Sequence, residues 1–316
     1  MLKSAIWTIK KRGFKTFIFA TFYYLKILLF KILKIKYIQK KIFNFNMLLD
    51  VYDKGLSRTL LLFDEREIEQ KYIIEKTLEP TDIVLDLGSN IGYYALIFMN
   101  IINSKNIILV EPSPINFDLL NKNLLLNKYS DVETHMAAIS DIDSKKEFYI
   151  SEMSNLNSFH VDTKNLEKYN KILVNSHSLI SLLKGRKIDL IRMDVEGHEV
   201  SIFKSLKEYI NQHGHKPCIL YEPHMSKYNK DNDIGEQLKD LFNLGYSLQV
   251  AASSSEDGKK KFTDKNYKSI KTFKTDEKQR DIFLNISNED ALKFLGKEGG
   301  VRTALLSCKN QHIKFN

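Results

Sequence analysis

Acidic residues are absent from the first 49 positions of this 316-residue chain, and the first carboxylate is Asp50. Ten lysines and Arg12 fall in that stretch, so it carries +11 of a whole-chain charge of +9, leaving −2 for the remainder. The bulk of the chain is therefore not basic, and any attraction to an acidic partner rests on the arm. Cysteine is scarce: Cys218 and Cys308 are the two present, at no metal-ligand spacing. This excludes a disulfide framework and fits a reducing, cytoplasmic compartment. The uncharged run Thr16–Leu25 stops at Lys26, and ten residues fall short of the roughly 20 that a spanning helix needs. Lysines continue to Lys41 with no small-residue cleavage site, so a secretory signal is not expected.

What the arm does contain is apolar and aromatic. On a helix Lys11, Lys15 and Lys26 share one face, while Lys31 and Lys34 fall off it. The expectation is a basic helical arm over residues 1–49, lying peripherally on an anionic membrane surface at the inner face. The alternative is a helix packed on the domain or on a partner chain. Nucleic acid is not the expected partner, since phosphate-binding arms have little use for so many Phe, Ile and Leu side chains.

Residues 50–80 read as a helical lead-in closed by Pro80, and the pattern then changes. Short apolar runs alternate with helical stretches: Ile83–Leu85, Ile107–Val110, Val132–Ile139, Ile188–Met193, Cys218–Tyr221, Tyr246–Ala252 and Asp281–Asn285. Ser113 and Pro114 suit the N-cap and first position of a helix. Lysine- and serine-rich Ser253–Lys274 reads as a mobile hairpin or loop. The predicted fold is α/β: a Rossmann-like, mostly parallel seven-stranded sheet over residues 81–290 with helices on both faces. Residues 291–316 are read as a C-terminal extension.

Asp86, Glu111, Asp194 and Glu222 each follow an apolar strand. The carboxyl edge of a parallel sheet is where ligands bind, so four acids there point to a site. The turn Asp86-Leu87-Gly88-Ser89-Asn90-Ile91-Gly92 lets backbone approach a ligand, with Asn90 tolerating left-handed geometry. Glu111, one strand–helix–strand unit later, can accept the hydroxyl hydrogens of a ribose. G-x-G-x-x-G is missing, and an acid at the end of the first strand suits an ammonium better than a pyrophosphate. This favours S-adenosylmethionine over NAD.

Three blocks, Asp86–Tyr94, Val110–Pro114 and Ile188–Glu199, resemble the FkbM-type methyltransferases, with the resemblance spanning about Thr81–Ala252. Asp194-Val195-Glu196-Gly197-x-Glu199 is its most specific part. The resemblance implies a class I enzyme that O-methylates sugar or polyketide hydroxyls, with Gly88, Asn90 and Gly92 flanking the methionine part of the donor and Glu111 on its ribose. Arg192 stands where lysine is usual, and Ile180 where an aspartate is common. Asp86, Ser89, Tyr93, Pro112, Ser113, Ala138 and Asp194 complete the expected donor pocket.

An alcohol acceptor must lose a proton, which calls for a base. Asp194, Glu196, His198, Glu222 and His224 lie at the right edge, and His224 or Glu196 is the expected base. No metal ligand set is assigned; Asp194 with Glu222 remains an alternative Mg²⁺ site. Isolated prolines exclude a Pro-Pro-aromatic motif, and Pro217-Cys218 opens an apolar strand rather than presenting a nucleophile. Asn157 and Phe159, with Glu222, are expected to meet the acceptor, a glycan hydroxyl or its lipid-linked or nucleotide-linked precursor. A non-catalytic membrane scaffold, or an RNA or protein methyltransferase guided by the arm, stays open at this point.

Overall fold

The computed structural model describes residues 6, 8–10, 12–161, 163–275, 278–308 and 314–315. The N-terminal part is not a single helical arm. Helix α1 (Phe14–Ile32) is followed by an antiparallel hairpin of β1 (Tyr37–Ile42) and β2 (Phe45–Asp50). The residue pattern explains this: Ile38, Lys40 and Ile42 are buried while Gln39 and Lys41 are exposed, the period of two that a half-buried strand requires. Lys40 is buried because its ammonium reaches the Leu60 carbonyl (2.9 Å) and Asp64 (2.7 Å) at the end of α2 (Leu56–Phe63), where a cation suits the helix dipole. Lys11, assigned above to one helix face, lies outside the described residues.

After α3 (Ile68–Thr77) come β3 (Val84–Leu87), α4 (Tyr93–Phe98), β4 (Ile107–Val110), α5 (Pro114–Leu126) and β5 (Glu133–His135). Ser113 caps α5, accepting from the Asn116 N–H, with Pro114 in the first turn as expected. The chain then leaves the main sheet. β6 (Ala138–Ile139), β7 (Ser144–Ile150) and β8 (Asn170–His177) form a small separate sheet in the order β6-β8-β7. The expected strand Val132–Ile139 is thus two short strands in different sheets. The rest follows as α6 (Leu179–Leu183), β9 (Leu190–Met193), α7 (Glu199–His213), β10 (Cys218–Tyr221), α8 (Ile234–Asn243), β11 (Tyr246–Ser253), α9 (Glu256–Thr263), β12 (Lys271–Thr275), β13 (Lys278–Ile286), α10 (Asn288–Gly296) and β14 (Val301–Cys308).

The main sheet has nine strands, ordered β12-β13-β11-β14-β10-β9-β3-β4-β5. It is mixed rather than mostly parallel: β10, β9, β3, β4 and β5 run parallel, and β14 pairs antiparallel with both β10 and β11. Two corrections to the seven-strand expectation follow. Ser253–Lys274 holds α9 and most of β12, with Ser255 capping α9. Val301–Cys308, read as part of an extension, sits inside the sheet.

Alternating strand residues feed two cores. Leu85, Leu87, Ile191 and Met193 face α6, α7, α8 and α10, whereas Val84, Ile107, Leu109 and Leu190 face α2, α3, α4, α5 and the β1–β2 hairpin. Registers Leu87↔Val110, Leu87↔Met193 and Tyr221↔Met193 align the carboxyl ends of four strands. The residues that follow them share one edge.

Candidate active site

At the end of β3 the chain must turn back into α4 within five residues. Gly88, Asn90 and Gly92 do this with φ of 77°, 50° and 90°. Gly88 is required: a Cβ there would lie 2.2 Å from the Asp194 carbonyl oxygen. Its N–H and that of Ser89 donate to the Val110 carbonyl (2.9 and 3.1 Å), fastening the turn to β4.

Glu111, at the end of β4, is buried and held by backbone. Oε2 accepts the Asn90 N–H (2.8 Å) and Oε1 the Ser113 N–H (2.9 Å). Burial pushes its carboxyl up to about 7, against the lowering effect of these hydrogen bonds. Asn90 Nδ2 donates to the Ser154 carbonyl (3.0 Å), tying the donor turn to the segment after β7.

Arg192, on β9, is buried beneath the turn. It meets Asp86 (3.1 Å), Asp194 (3.4 Å) and the Gln70 side chain (3.0 Å), and stacks over Tyr94 at 3.9 Å. Burial opposes its charge, yet Asp86 and Asp194 raise its pKa further above the ordinary value. Asp86 is itself pushed up by burial, opposed by Arg192. Nearby, Tyr94 donates to Glu67 (2.6 Å), and Arg302 on β14 bridges Glu67 and Glu222.

His224, just after β10, is gripped from several sides. Nδ1 meets Glu199 Oε1 at 2.7 Å, and Nε2 faces Glu196 Oε2 (3.5 Å), Asp194 Oδ1 (3.6 Å) and Glu222 Oε1 (3.7 Å). Burial disfavours charge on the ring, but Glu199 and Glu196 raise its pKa well above 6.5. His198 is the opposite case: burial, helped by His160 and Lys146, pushes it down to about 3, so it is neutral.

These parts border a cavity of about 820 Å³, counting its mouth open to solvent. Of the expected donor residues, Gly88, Ser89, Asn90 and Tyr93 line it from the turn, and Glu111, Pro112, Ala138 and Asp194 from the neighbouring strand ends. Asn157, Phe159 and Glu196 line it too. Asp86, Gly92, Ser113, Glu222 and His224 do not. Asp86 lies behind the turn on Arg192, and Ser113 is occupied as a helix cap. Glu222 is taken by Arg302 and does not line the cavity, and His224 stands behind Asp194 and Glu196. Glu67, Tyr94, Asn155 and Arg192 line the cavity unforeseen. No local sequence signal marks Glu67, but Asn155 lies two residues before Asn157 in a run rich in serine and asparagine.

A carboxyl-edge cavity with a left-handed turn on one strand and a buried acid on the next defines a Rossmann-like domain for an adenosine-containing donor. The model of the Methyltransferase FkbM domain matches residues 86–248, and the chain belongs to that family. "Methyltransferase 1" of Beauveria bassiana (strain ARSEF 2860) is 22% identical over 166 residues, 45% of this chain and 67% of that protein. Among solved structures, methyltransferase FkbM from Methylobacillus flagellatus KT is 15% identical with a TM-score of 0.38, over 72% of this chain and 54% of that one. M. jannaschii TYW2 in complex with AdoMet is 15% identical with a TM-score of 0.38, over 79% of this chain and 87% of that one. The chain thus spans about half the length of the first of these structures. The domain is that of a methyltransferase, and S-adenosylmethionine is the donor that the sequence resemblance implies. The residues present fit it: Asn90 Oδ1 is buried in the cavity wall without a partner among the described residues, and only glycine at 88 keeps the turn against β9.

Proposed function

We propose that this chain transfers the donor methyl group to a hydroxyl of a sugar, in a surface glycan or its lipid-linked or nucleotide-linked precursor. The observation that carries this reading is the cavity wall formed by Ser154, Asn155, Asn157 and Phe159. Asn155 Oδ1 is buried there without a partner among the described residues. Phe159 packs on Phe148 and His198 with ring centres 4.8 and 4.4 Å apart. Amide groups beside an aromatic ring suit a polyol with one apolar face.

When bound, the sulfonium donor supplies an electrophilic methyl group, and the protein's task is alignment and proton removal. Glu111 holds the ribose, and the Gly88–Asn90 turn flanks the methionine part. Glu196 takes the hydroxyl proton: it lines the cavity and sits at a left-handed φ of 49°. Such backbone geometry in a non-glycine residue is costly and concentrates at functional sites. His224 and Asp194 position it, with His224 acting through the carboxylates rather than on the acceptor.

The exposed face of α1 supports a membrane location for this activity. Phe14, Ile18, Phe22, Leu25, Leu29 and Ile32 form one solvent-facing stripe, with lysines beside it. Such a stripe lies on a bilayer rather than through it, and no described helix is long and apolar enough to cross a membrane.

The test is transfer of labelled methyl from S-adenosylmethionine to a cell extract, separated into glycan, lipid, RNA and protein fractions. Label in the glycan or lipid-linked fraction is expected. Label confined to RNA or protein rejects the sugar reading, and no donor binding by calorimetry would instead indicate a scaffold.

A further inference from the structure

The carboxylates around His224 exceed what donor binding and proton removal require. Asp194, Glu196, Glu199 and Glu222 converge on His224, with Arg192 on Asp194 and Arg302 on Glu222, four acids against two guanidiniums, and no side chain among them is more than 23% exposed. Two negative charges are left over in a desolvated cluster, where unpaired charge is costly. A divalent cation offsets both.

The geometry indicates where such a cation sits. Glu199, fully buried, lies 2.7 Å from His224 Nδ1 and turns Nε2 toward Asp194 and Glu196. Nε2 stands 3.5 Å from Glu196 Oε2 and 3.6 Å from Asp194 Oδ1, too far for good hydrogen bonds. Ligand atoms around a tetrahedral ion bound at about 2.1 Å stand about 3.4 Å apart. Asp194 Oδ1 is available because Arg192 engages the other oxygen, Oδ2. Glu222, in contrast, has Oε1 held by Arg302, while its Oε2 is buried without a partner among the described residues. That unpartnered anionic oxygen is a second sign that the cluster lacks a cation.

We propose that Asp194, Glu196 and His224 bind one first-row divalent cation in the cavity wall. An imidazole ligand and the wide ligand spacing favour an ion of the Zn²⁺ type over Mg²⁺, which prefers six oxygens at closer spacing. Three protein ligands leave a position for water or for an oxygen of the acceptor. Glu196 then gives Oε2 to the ion and keeps Oε1 for the proton in the transfer proposed above. Ion binding does not depend on which hydroxyl is methylated.

The experiment uses the full chain, stripped with a chelator and titrated with Co²⁺ followed by visible absorption. One equivalent is expected to bind at micromolar concentration, with the intense bands of low coordination, and Zn²⁺ is expected to displace it. His224→Ala should weaken binding at least a hundredfold and Glu199→Gln by ten- to a hundredfold. Should the His224 variant not fold, Asp194→Asn, at a partly exposed position, decides the same point. No Co²⁺ uptake by the native chain, or native affinity in a folded His224→Ala or Asp194→Asn variant, overturns the proposal. Donor calorimetry in parallel keeps the two readings apart, because donor binding without ion binding rejects the cation alone.

Discussion

The backbone N–H of Asn90 donates to Oε2 of Glu111 at 2.8 Å, joining the turn after β3 to the end of β4 through a buried carboxylate. The second oxygen, Oε1, accepts from Ser113 N–H at 2.9 Å. An amide has one acceptor oxygen and would set its NH₂ against one of these donors. Glu111→Gln is therefore expected to weaken donor binding at least tenfold by calorimetry. The pH dependence has a definite sign. The folded carboxyl titrates at about 7 and its reference value is 4.5, so between them the folded protein holds a proton that the unfolded chain has lost. This stabilisation is complete below about 4.5 and is lost as pH rises through about 7, on the order of 3 kcal/mol. Donor affinity runs the other way, rising as Glu111 ionises. Urea midpoints at pH 5 and pH 8 check this: an unchanged difference between them in Glu111→Gln would remove Glu111 as its source.

At Gly88 a methyl group has nowhere to go. The residue's φ is 77°, and the added carbon would lie 2.2 Å from the carbonyl oxygen of Asp194, a backbone atom in the neighbouring chain segment. Gly88→Ala should cost about 2 kcal/mol or more and abolish measurable donor binding. Thermal unfolding and calorimetry report the two effects, and a variant with both native properties would show that the turn is not under this constraint.

Replacing Arg192 tests the buried ion network. Arg192→Met leaves Asp86 as an uncompensated buried charge and is expected to cost about 3–5 kcal/mol. Arg192→Lys keeps the charge but loses the fork to Asp86, Asp194 and Gln70, so its loss should be smaller. Equal urea midpoints for the two variants would show that geometry, not charge, dominates.

Asn157 and Phe159 belong to the proposed acceptor wall. Asn157 Oδ1 accepts from the Ser151 N–H (2.8 Å), which leaves its amide NH₂ for a ligand. Asn157→Ala with Phe159→Ala should raise the acceptor's KM about tenfold or more while the donor Kd stays within twofold. Parallel weakening of donor and acceptor would contradict this division of the cavity.

The stripe on α1 is tested by sedimentation with vesicles. The native chain should pellet with vesicles rich in anionic lipid and remain largely free with neutral ones or in high salt. Changing Ile18, Phe22 and Leu29 to serine should leave the protein in the supernatant without changing donor affinity. Self-association in place of lipid binding, seen by light scattering, would assign the stripe to a second copy of the chain.

What could be read from the sequence was local. Ile83–Leu85 and Ile107–Val110 are apolar runs too short for helices, and Ser113-Pro114 carries its helix start in two adjacent residues. Gly88, Asn90 and Gly92 declare a tight turn by type alone. What escaped was long-range. Val301–Cys308 looks like any short apolar run, and its place between β10 and β11 depends on partners 48 to 87 residues away. Tyr37–Asp50 alternates as a strand should, but the lysines and aromatics before it argue for a helix running through.

The site shows the same division. That Asp86, Glu111, Asp194 and Glu222 share an edge was readable, because strand ends in a parallel sheet align. That Asp86 and Glu222 turn away from the cavity was not, since their partners Arg192 and Arg302 reach them from other strands. His224 was named by type and position; its place behind Asp194 and Glu196 rather than in the cavity lining is a matter of side-chain packing.

The central position of β14 has a consequence for how the protein is made. A strand from residues 301–308 divides two strands that leave the ribosome at least 48 residues earlier, so the sheet cannot close until that strand has been made. Until then β10 and β11 present open edges, the kind of surface on which nascent chains aggregate. Glu67 and Glu222 also wait for Arg302. A chain stalled or clipped before residue 301 would therefore be a burden on the cell's chaperones rather than a weak enzyme.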